Sequence, residues 1–402
     1  MLPNYKSIVT MKPNNKIIFL TIISVIFIFF LFYSVRKNDS LLSSERSIVI
    51  SDSTMLELEK YTIKKIKVGE NIINNPISSQ IVQIDEKDKY IMLDENKLYL
   101  FDLDSGELED SVLLDKCGML GIYSGFNYVD MDTIFVFNYK ENLLFRIDNS
   151  GNVLSTWKVP QNDDTPEWVY SINALNASRI VYSNPFVSVS GGVLGVIHDS
   201  GFKKIPVSER LNTNNGEWMQ NLSYPHKYVQ KNFGAIYLNR IYTASDNENF
   251  LFYGFPIESE VYRYNSDFSA VDTLNLQSRY DSGRKECTKS QSELEENDRY
   301  EIQYYISQLS YSNIIFDNYR KLIIRAVNHP LNNWNYNQNF IQPRSFIFAK
   351  TDGTILSESR ILKDYDKLDF GNMHICSDGL LIAEVNDNEN EITFRCFKIN
   401  MK

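Results

Sequence analysis

The sequence predicts an all-β fold, a six-bladed β-propeller following an N-terminal transmembrane helix. Three observations carry that prediction. Short apolar and aromatic runs recur along the 402 residues, with 25 Tyr and 24 Phe, while helical periodicity is scarce. Turns of the Asp/Asn-Ser/Asp-Gly kind punctuate them. Gly106, Gly151 and Gly201 fall 45 and 50 residues apart, the spacing of four-stranded blades of roughly 40–50 residues. One unbroken apolar segment, Ile17–Val35, precedes all of these runs.

Ile17–Val35 (IIFLTIISVIFIFFLFYSV) carries no charge and matches the ~20 residues a helix needs to cross a bilayer core. Lys6, Lys12 and Lys16 precede it, and Arg36 and Lys37 follow. That balance leans towards residues 1–16 being a short cytoplasmic tail. No small-residue cleavage site follows the segment and no Cys lies near it, so a signal anchor is expected rather than a cleaved leader or a lipoprotein signal. Residues 36–59 read as a polar linker. Residues 60–402 read as a propeller domain outside the cytoplasm, periplasmic or at the cell surface.

Tyr61–Val68 alternates apolar and basic residues, the pattern of a half-exposed strand. Gln80–Leu93 gives an apolar run, a polar turn at Asp85–Lys89 and a return strand. Lys97–Leu114 sets out the repeating unit and reads as the inner part of blade one. Leu98–Phe101 is bulky on both faces, as in a strand covered on both sides. Asp104-Ser105-Gly106 makes the turn, since Asp and Ser bond their own backbone and Gly takes positive φ freely. Leu108–Leu114 returns. A lone hairpin is marginal in water, so copies must stack on it.

The copies follow in order. Thr133–Asn138, Asn142–Ile147, the turn Asp148–Gly151 and Val153–Val159 form one. Gly192–His198, the turn Asp199–Gly201 and Phe202–Val207 form the next. A looser copy has Phe250–Phe255, Glu260–Tyr264, the turn Asn265–Asp267 and Phe268–Leu276. Another has Arg320–Val327, Ser345–Ala349, the turn Thr351–Gly353 and Ile355–Leu362. The last has His374–Cys376, Leu380–Val385 and Ile392–Ile399. Blades are expected to begin near Asn75, Ile122, Trp168, Leu222, Tyr300 and Asp369. The last falls one strand short, and Tyr61–Val68 supplies it, closing the ring and removing free sheet edges. Two insertions interrupt the repeat, Gln277–Gln308, with a helical Glu293–Glu296, and Asn328–Arg344.

Within Tyr311–Pro330 (YSNIIFDNYRKLIIRAVNHP), Tyr311, Ile314-Ile315, Asp317, Tyr319-Arg320, Arg325 and Pro330 form a pattern. It resembles a family of secreted propeller-like proteins from Gram-negative gut bacteria, domain of unknown function 4221. The strand pair Gly379–Ile399 is similar to that family too, and the likeness extends over roughly residues 55–400. The resemblance implies a six-bladed propeller outside the cytoplasm, usually lipid-anchored. This chain departs by lacking the lipidated Cys. No catalytic residues are established for the family, so none are implied here.

The net charge of −10 argues against a nucleic-acid partner. Four cysteines (Cys117, Cys287, Cys376, Cys396) show no CxxC spacing, so a zinc site is not expected. Cys376 and Cys396 lie on neighbouring strands, as a disulfide or as two free buried thiols. Four histidines are scattered without paired spacing, and neither a metal nor a cofactor is expected. No nucleophile elbow, H-E-x-x-H motif or P-loop occurs. Asp317, Arg320 and Arg325 read either as an Arg–carboxylate set binding an anion in the channel or as a buried ion pair fixing blade register. Trp334 and Tyr336 sit among amides in Asn332–Phe340 (NNWNYNQNF). There they read as a glycan platform, or as loop aromatics covering a blade edge. Trp218 (TNNGEW) marks a second loop of that kind. The expected role is a membrane-anchored binding or scaffolding module for a protein, peptide or glycan. The alternative is a hydrolase or lyase with its site at one channel mouth.

Overall fold

In the computed structural model of the chain, the described residues are 61–69, 76–118, 123–160, 179–190, 206–231, 236–267, 271–331, 341–362, 364–385 and 388–399, with residues 58, 72, 74, 233 and 334. They form six antiparallel four-stranded sheets. Blade one is β2 (Ser78–Ile84), β3 (Lys87–Asp94), β4 (Lys97–Asp102) and β5 (Leu108–Leu113). Blade two is β6 (Tyr123–Asp130), β7 (Thr133–Asn138), β8 (Leu143–Ile147) and β9 (Val153–Lys158). Blade three is β10 (Arg179–Ser183), β11 (Phe186–Ser190), β12 (Pro206–Asn212) and β13 (Glu217–Ser223). Blade four is β14 (Tyr242–Ser245), β15 (Phe250–Gly254), β16 (Glu260–Asn265) and β17 (Val271–Asn275). Blade five is β18 (Ser310–Asp317), β19 (Leu322–Asn328), β20 (Arg344–Lys350) and β21 (Ile355–Glu358). Blade six is β22 (Leu368–Ile375), β23 (Gly379–Glu384) and β24 (Glu391–Lys398), completed on its outside by β1 (Tyr61–Lys67). β1 runs antiparallel to β24 from Tyr61↔Phe397 to Lys67↔Glu391, so the expected closure is observed.

The first strand of each blade lies innermost, and each innermost strand touches those of the two flanking blades. The strand patterns follow from that layout. β7, β11 and β19 are second strands and are buried along their whole length. β5 and β9 are outermost and mostly exposed or alternating. A strand between sheets on both sides needs continuous apolar side chains, and one facing water needs alternation. The core is correspondingly split into layers, one between each pair of neighbouring blades. Phe252 of blade four stacks on Phe316 of blade five, for example (5.8 Å, 10°).

Two readings of the sequence are corrected by this layout. Lys97–Leu114 holds the outer half of blade one, β4 and β5; its inner half is the less regular β2–β3 pair, which turns through Asp85 and Glu86 at positive φ without a glycine. Blade three is also shifted. Asp199–Gly201 lies outside the described residues, and β11 pairs with β12 and β12 with β13. The turn between third and fourth strands is therefore Thr213–Gly216, with Gly216 at φ 74°. Trp218 stands on β13, half-buried against the apolar layer between blades two and three, and not in a loop. Ile17–Val35 lies outside the described residues; among the described residues no helix is long and apolar enough to cross a membrane.

The glycines of the outer turns have a second role besides positive φ. Each seats its turn on the outer strand of the preceding blade. A Cβ on Gly106 would lie 2.0 Å from the Lys65 carbonyl oxygen of β1, and one on Gly151 would lie 2.3 Å from that of Leu113 in β5. Gly353 and Gly216 approach the side chains of Leu274 in β17 and Trp157 in β9 in the same way. Lys67 N–H also donates to Gly106 O (2.9 Å), and Lys64 pairs with Asp104 (2.7 Å). The first turn is thus the seat of the closing strand.

Gly106→Ala should therefore lower stability by more than Gly283→Ala. Both glycines have positive φ, but Gly283 has open space around it. The left-handed conformation alone costs about 1–2 kcal/mol for alanine. The clash adds to that at Gly106 only. Urea unfolding of the two variants against wild type checks the difference, and equal losses would remove the seat from the account.

Candidate functional site

Antiparallel alternation gives the ring two unlike faces. On one, first strands turn into second and third into fourth through tight hairpins. On the other, second strands connect to third and each blade to the next. The connections from β13 to β14, from β17 to β18 and from β19 to β20 begin and end on this second, loop-bearing face.

The pattern around Tyr311–Pro330 divides between the two faces. On the hairpin face, fully buried Asp317 ends β18. Its Oδ1 accepts the backbone N–H groups of Tyr319 and Arg320 (3.0 Å each), and its Oδ2 pairs with Arg320 Nη1 (3.1 Å). Arg320 lies in the turn rather than on the strand, and its Nη2 donates to Ser377 O of blade six (2.7 Å). The Tyr319 hydroxyl donates to Asp88 of blade one. Asp88 also accepts the Ser377 N–H (2.8 Å) and hydroxyl (2.6 Å). One turn therefore joins blades five, six and one.

Arg325 is elsewhere. It stands on β19 at 1 % exposure, and the structure does not bring it to Asp317. Its Nη2 donates to Phe255 O (3.1 Å) and Glu258 O (2.7 Å), and its Nη1 to Ser259 O and Glu260 O (3.3 Å). These carbonyls belong to the connection between β15 and β16 of blade four and to Glu260, the first residue of β16. The guanidinium lies 4.2 Å from the Tyr311 ring centroid. Burial pulls its pKa down to about 10. The Tyr311 hydroxyl donates to Asp281 (2.7 Å) and accepts the Ser278 N–H (3.0 Å). Arg284 covers the same ring (4.9 Å) and bonds Leu309 O (2.8 Å) and Ile257 O. Asp317, Arg320 and Arg325 thus place their polar atoms on neighbouring blades.

On the loop face, Ser290 and Glu293 form a capping box that starts the helix Gln291–Glu296, as the acidic run predicts. Asn297 caps a second helix, Asp298–Ile306, which the sequence reading leaves out. Its apolar pattern is weak, and only its Asn cap announces it. Trp334 is half-buried within the connection from β19 to β20. Tyr336 lies outside the described residues.

His329 opens the same connection at 5 % exposure, with Nε2 2.8 Å from Ser345 Oγ. Ser345 Oγ donates to Glu358 (2.9 Å), which also takes the Ser278 hydroxyl (2.7 Å). Burial lowers the His329 pKa to about 4. Between blades one and six, His374 Nε2 meets both Ser79 Oγ (3.0 Å) and Asn372 Oδ1 (2.7 Å). Ser79 itself donates to Asn372 (3.1 Å), so hydroxyl and amide compete for one ring nitrogen.

Cys376 and Cys396 are free buried thiols with sulfurs 3.9 Å apart, the second of the two readings of the pair. Their hydrogen bond, then burial, holds the Cys376 thiol protonated. The Asp378 carboxylate lies within 4.8 Å of both sulfurs, a grouping that no spacing in the sequence signals. Asp378 already pairs with Lys64 (2.8 Å).

A ring of six four-stranded sheets closed by a strand from the start of the domain defines a six-bladed β-propeller. The model of the family "domain of unknown function (DUF4221)" matches residues 55–339, and the chain belongs to that family. The matched range ends in the connection from β19 to β20, short of the C-terminal strand pair that the sequence reading includes. Among solved structures, a DUF4221 member from Bacteroides vulgatus is similar over 85 % of this chain and 99 % of its own, at 17 % identity and a TM-score of 0.67. A catalytically inactive virginiamycin B lyase from Staphylococcus aureus covers 84 % of this chain and 99 % of its own, at 12 % identity and a TM-score of 0.43. No curated protein matches the chain.

Two outcomes follow from this geometry. Arg325→Lys keeps the charge and loses the fork. It should destabilise the chain by roughly 2–4 kcal/mol, because several buried carbonyls lose their donor. Chemical unfolding measures this, and a loss within error of zero would remove the staple. His329 has its folded pKa below the ordinary 6.5, so its contribution is complete above pH 6.5 and declines as pH falls from 6.5 towards 4. The full effect is about 3 kcal/mol. His329→Gln, which keeps a donor for Ser345, should flatten that acid limb in unfolding measured at pH 7 and pH 4.5.

Proposed function

We propose that this chain is a ligand-binding propeller, held in a membrane by Ile17–Val35 and displayed outside the cytoplasm, with its ligand on the loop-bearing face. One observation carries the reading. The hairpin face is built of tight turns whose polar groups engage neighbouring blades. The loop face carries the long insertions, with the helices Gln291–Glu296 and Asp298–Ile306 and the half-buried Trp334. Such loops can vary without disturbing the ring, and binding residues concentrate on loops held by a rigid scaffold. The ligand class is a glycan, peptide or protein surface.

The second reading is a hydrolase or lyase working at a channel mouth. The observation that favours it is the Ser79–His374 contact. Ser79→Ala would abolish any turnover that this pair supports.

Deleting residues 1–37 should move the protein from the membrane pellet to the soluble fraction with its unfolding transition retained. A deleted protein that remains in the pellet would overturn the anchor. On arrays of glycans and peptides, detergent-solubilised full-length protein should capture a ligand, and Trp334→Ala should weaken that capture several-fold. Undiminished capture by Trp334→Ala would move the site away from this insertion.

A further inference from the structure

The described arginines fall into two groups. Nearly all that are not exposed donate to a carbonyl, hydroxyl or carboxylate oxygen, as Arg146, Arg210, Arg263 and Arg395 do. Arg240 and Arg344 are the exceptions. Both are half-buried, and the Nε of each is buried without a partner. Among the described residues, neither guanidinium has a hydrogen-bond acceptor or a carboxylate at ion-pair distance. A desolvated cation without a counter-charge is costly to keep.

The two exceptions lie together on the loop face. Arg240 precedes β14, the inner strand of blade four, and Arg344 opens β20 of blade five opposite Asn328. Tyr305, on the helix Asp298–Ile306, is close to both. Tyr237 stacks on Tyr305 (5.0 Å, 24°), and the Arg240 guanidinium lies 5.3 Å from the Tyr237 ring centroid. Arg344 lies 4.2 Å from the Phe370 ring centroid. Burial, and to a lesser degree the Arg240 charge, lowers the Arg344 pKa, while Tyr305, Tyr242 and Asp369 oppose that shift. Asp369 is the acidic group nearest in character to a counter-ion. It stays beyond ion-pair distance, with its Oδ1 accepting the Gly371 N–H (2.8 Å). The site thus holds two planar forks with donors to spare, flanked by a stacked aromatic pair.

We propose that Arg240 and Arg344 form a subsite for an oxyanion, a carboxylate, sulfate or phosphate group carried on a small ligand of the loop face. The guanidinium fork matches such groups bidentately. The Tyr237–Tyr305 pair supplies an apolar surface beside it for the ring or chain that bears the charge. This subsite rests on the reading of the loop face as the binding face and narrows its ligand to an anionic one.

Thermal unfolding of the full-length protein in detergent tests it, with sodium sulfate, sodium phosphate, sodium glucuronate and glucose as probes. Ionic strength is held constant with sodium chloride. Wild type should show a saturable rise in Tm with at least one oxyanion and none with glucose. The double variant Arg240→Gln/Arg344→Gln should lose about tenfold or more in apparent affinity, as expected when fork contacts are removed. Without the anion it should be at least as stable as wild type, because two uncompensated charges are gone. If the double variant does not fold, Arg344→Lys keeps the charge, loses the fork and should show the same weakening. An equal anion response in wild type and variants, the signature of general salt exclusion, overturns the subsite, as does the absence of any saturable response. The parent reading fails separately. A neutral ligand captured equally by wild type and the double variant sinks the subsite alone. A saturable oxyanion response with no glycan or peptide captured sinks the broader reading alone.

Discussion

The ring depends on how one blade is fastened to the next. The strand pairing within each sheet says nothing about its neighbours. Apolar layers between blades supply adhesion, and that attraction is non-directional. Register comes from directed contacts between backbones and forked side chains. Arg210 of blade three donates to Ser266 O in the outer turn of blade four (2.8 Å), and Arg263 of blade four to Thr351 O in that of blade five (2.6 Å). Arg325 reaches back from blade five to blade four, and Arg320 reaches forward to blade six. Carbonyls are fixed points of a strand, so a guanidinium that bridges them sets the angle between sheets. The seated glycines do the same by allowing backbones to touch.

This explains what the pattern in Tyr311–Pro330 encodes. Asp317, Arg320 and Arg325 look like site residues when read along the chain, being charged and closely spaced. In space they separate into a three-blade junction on one face and a staple on the other. A pattern can recur across a family because the fold needs it, and then it is silent about ligands. Chemistry is better sought where fastening fails, among polar groups that no blade has engaged.

Much of the architecture was legible in the chain. Blade number, the closing role of Tyr61–Val68 and the helical start in the insertion after blade four all follow from local pattern. Blades one, two and six begin within three residues of expectation, at Ser78, Tyr123 and Leu368. Blades three to five begin later than expected, because their connections contain aromatics and helices that imitate strand patterns. Gly201 resembled the register turn because any Asp-Ser-Gly does; Gly216, in Asn-Asn-Gly, is the one that lies on Trp157. The Arg240–Arg344 pair, 104 residues apart in number, had no local signature. Its meaning comes from what the two lack, and only a three-dimensional accounting of donors and acceptors exposes that.

The pairing of β1 with β24 has a consequence for how the chain folds. Tyr61 and Phe397 are paired across 336 residues, so the contact that completes the ring spans nearly the whole domain. Contacts of such separation form late, since the intervening chain must first be organised. Until β24 exists, β1 has no partner and its edge is open. Blade six is therefore the last sheet to become whole. β1 is synthesised long before β24, and Lys64, Lys65 and Lys67 place on its open edge the charge that disfavours pairing with a wrong neighbour.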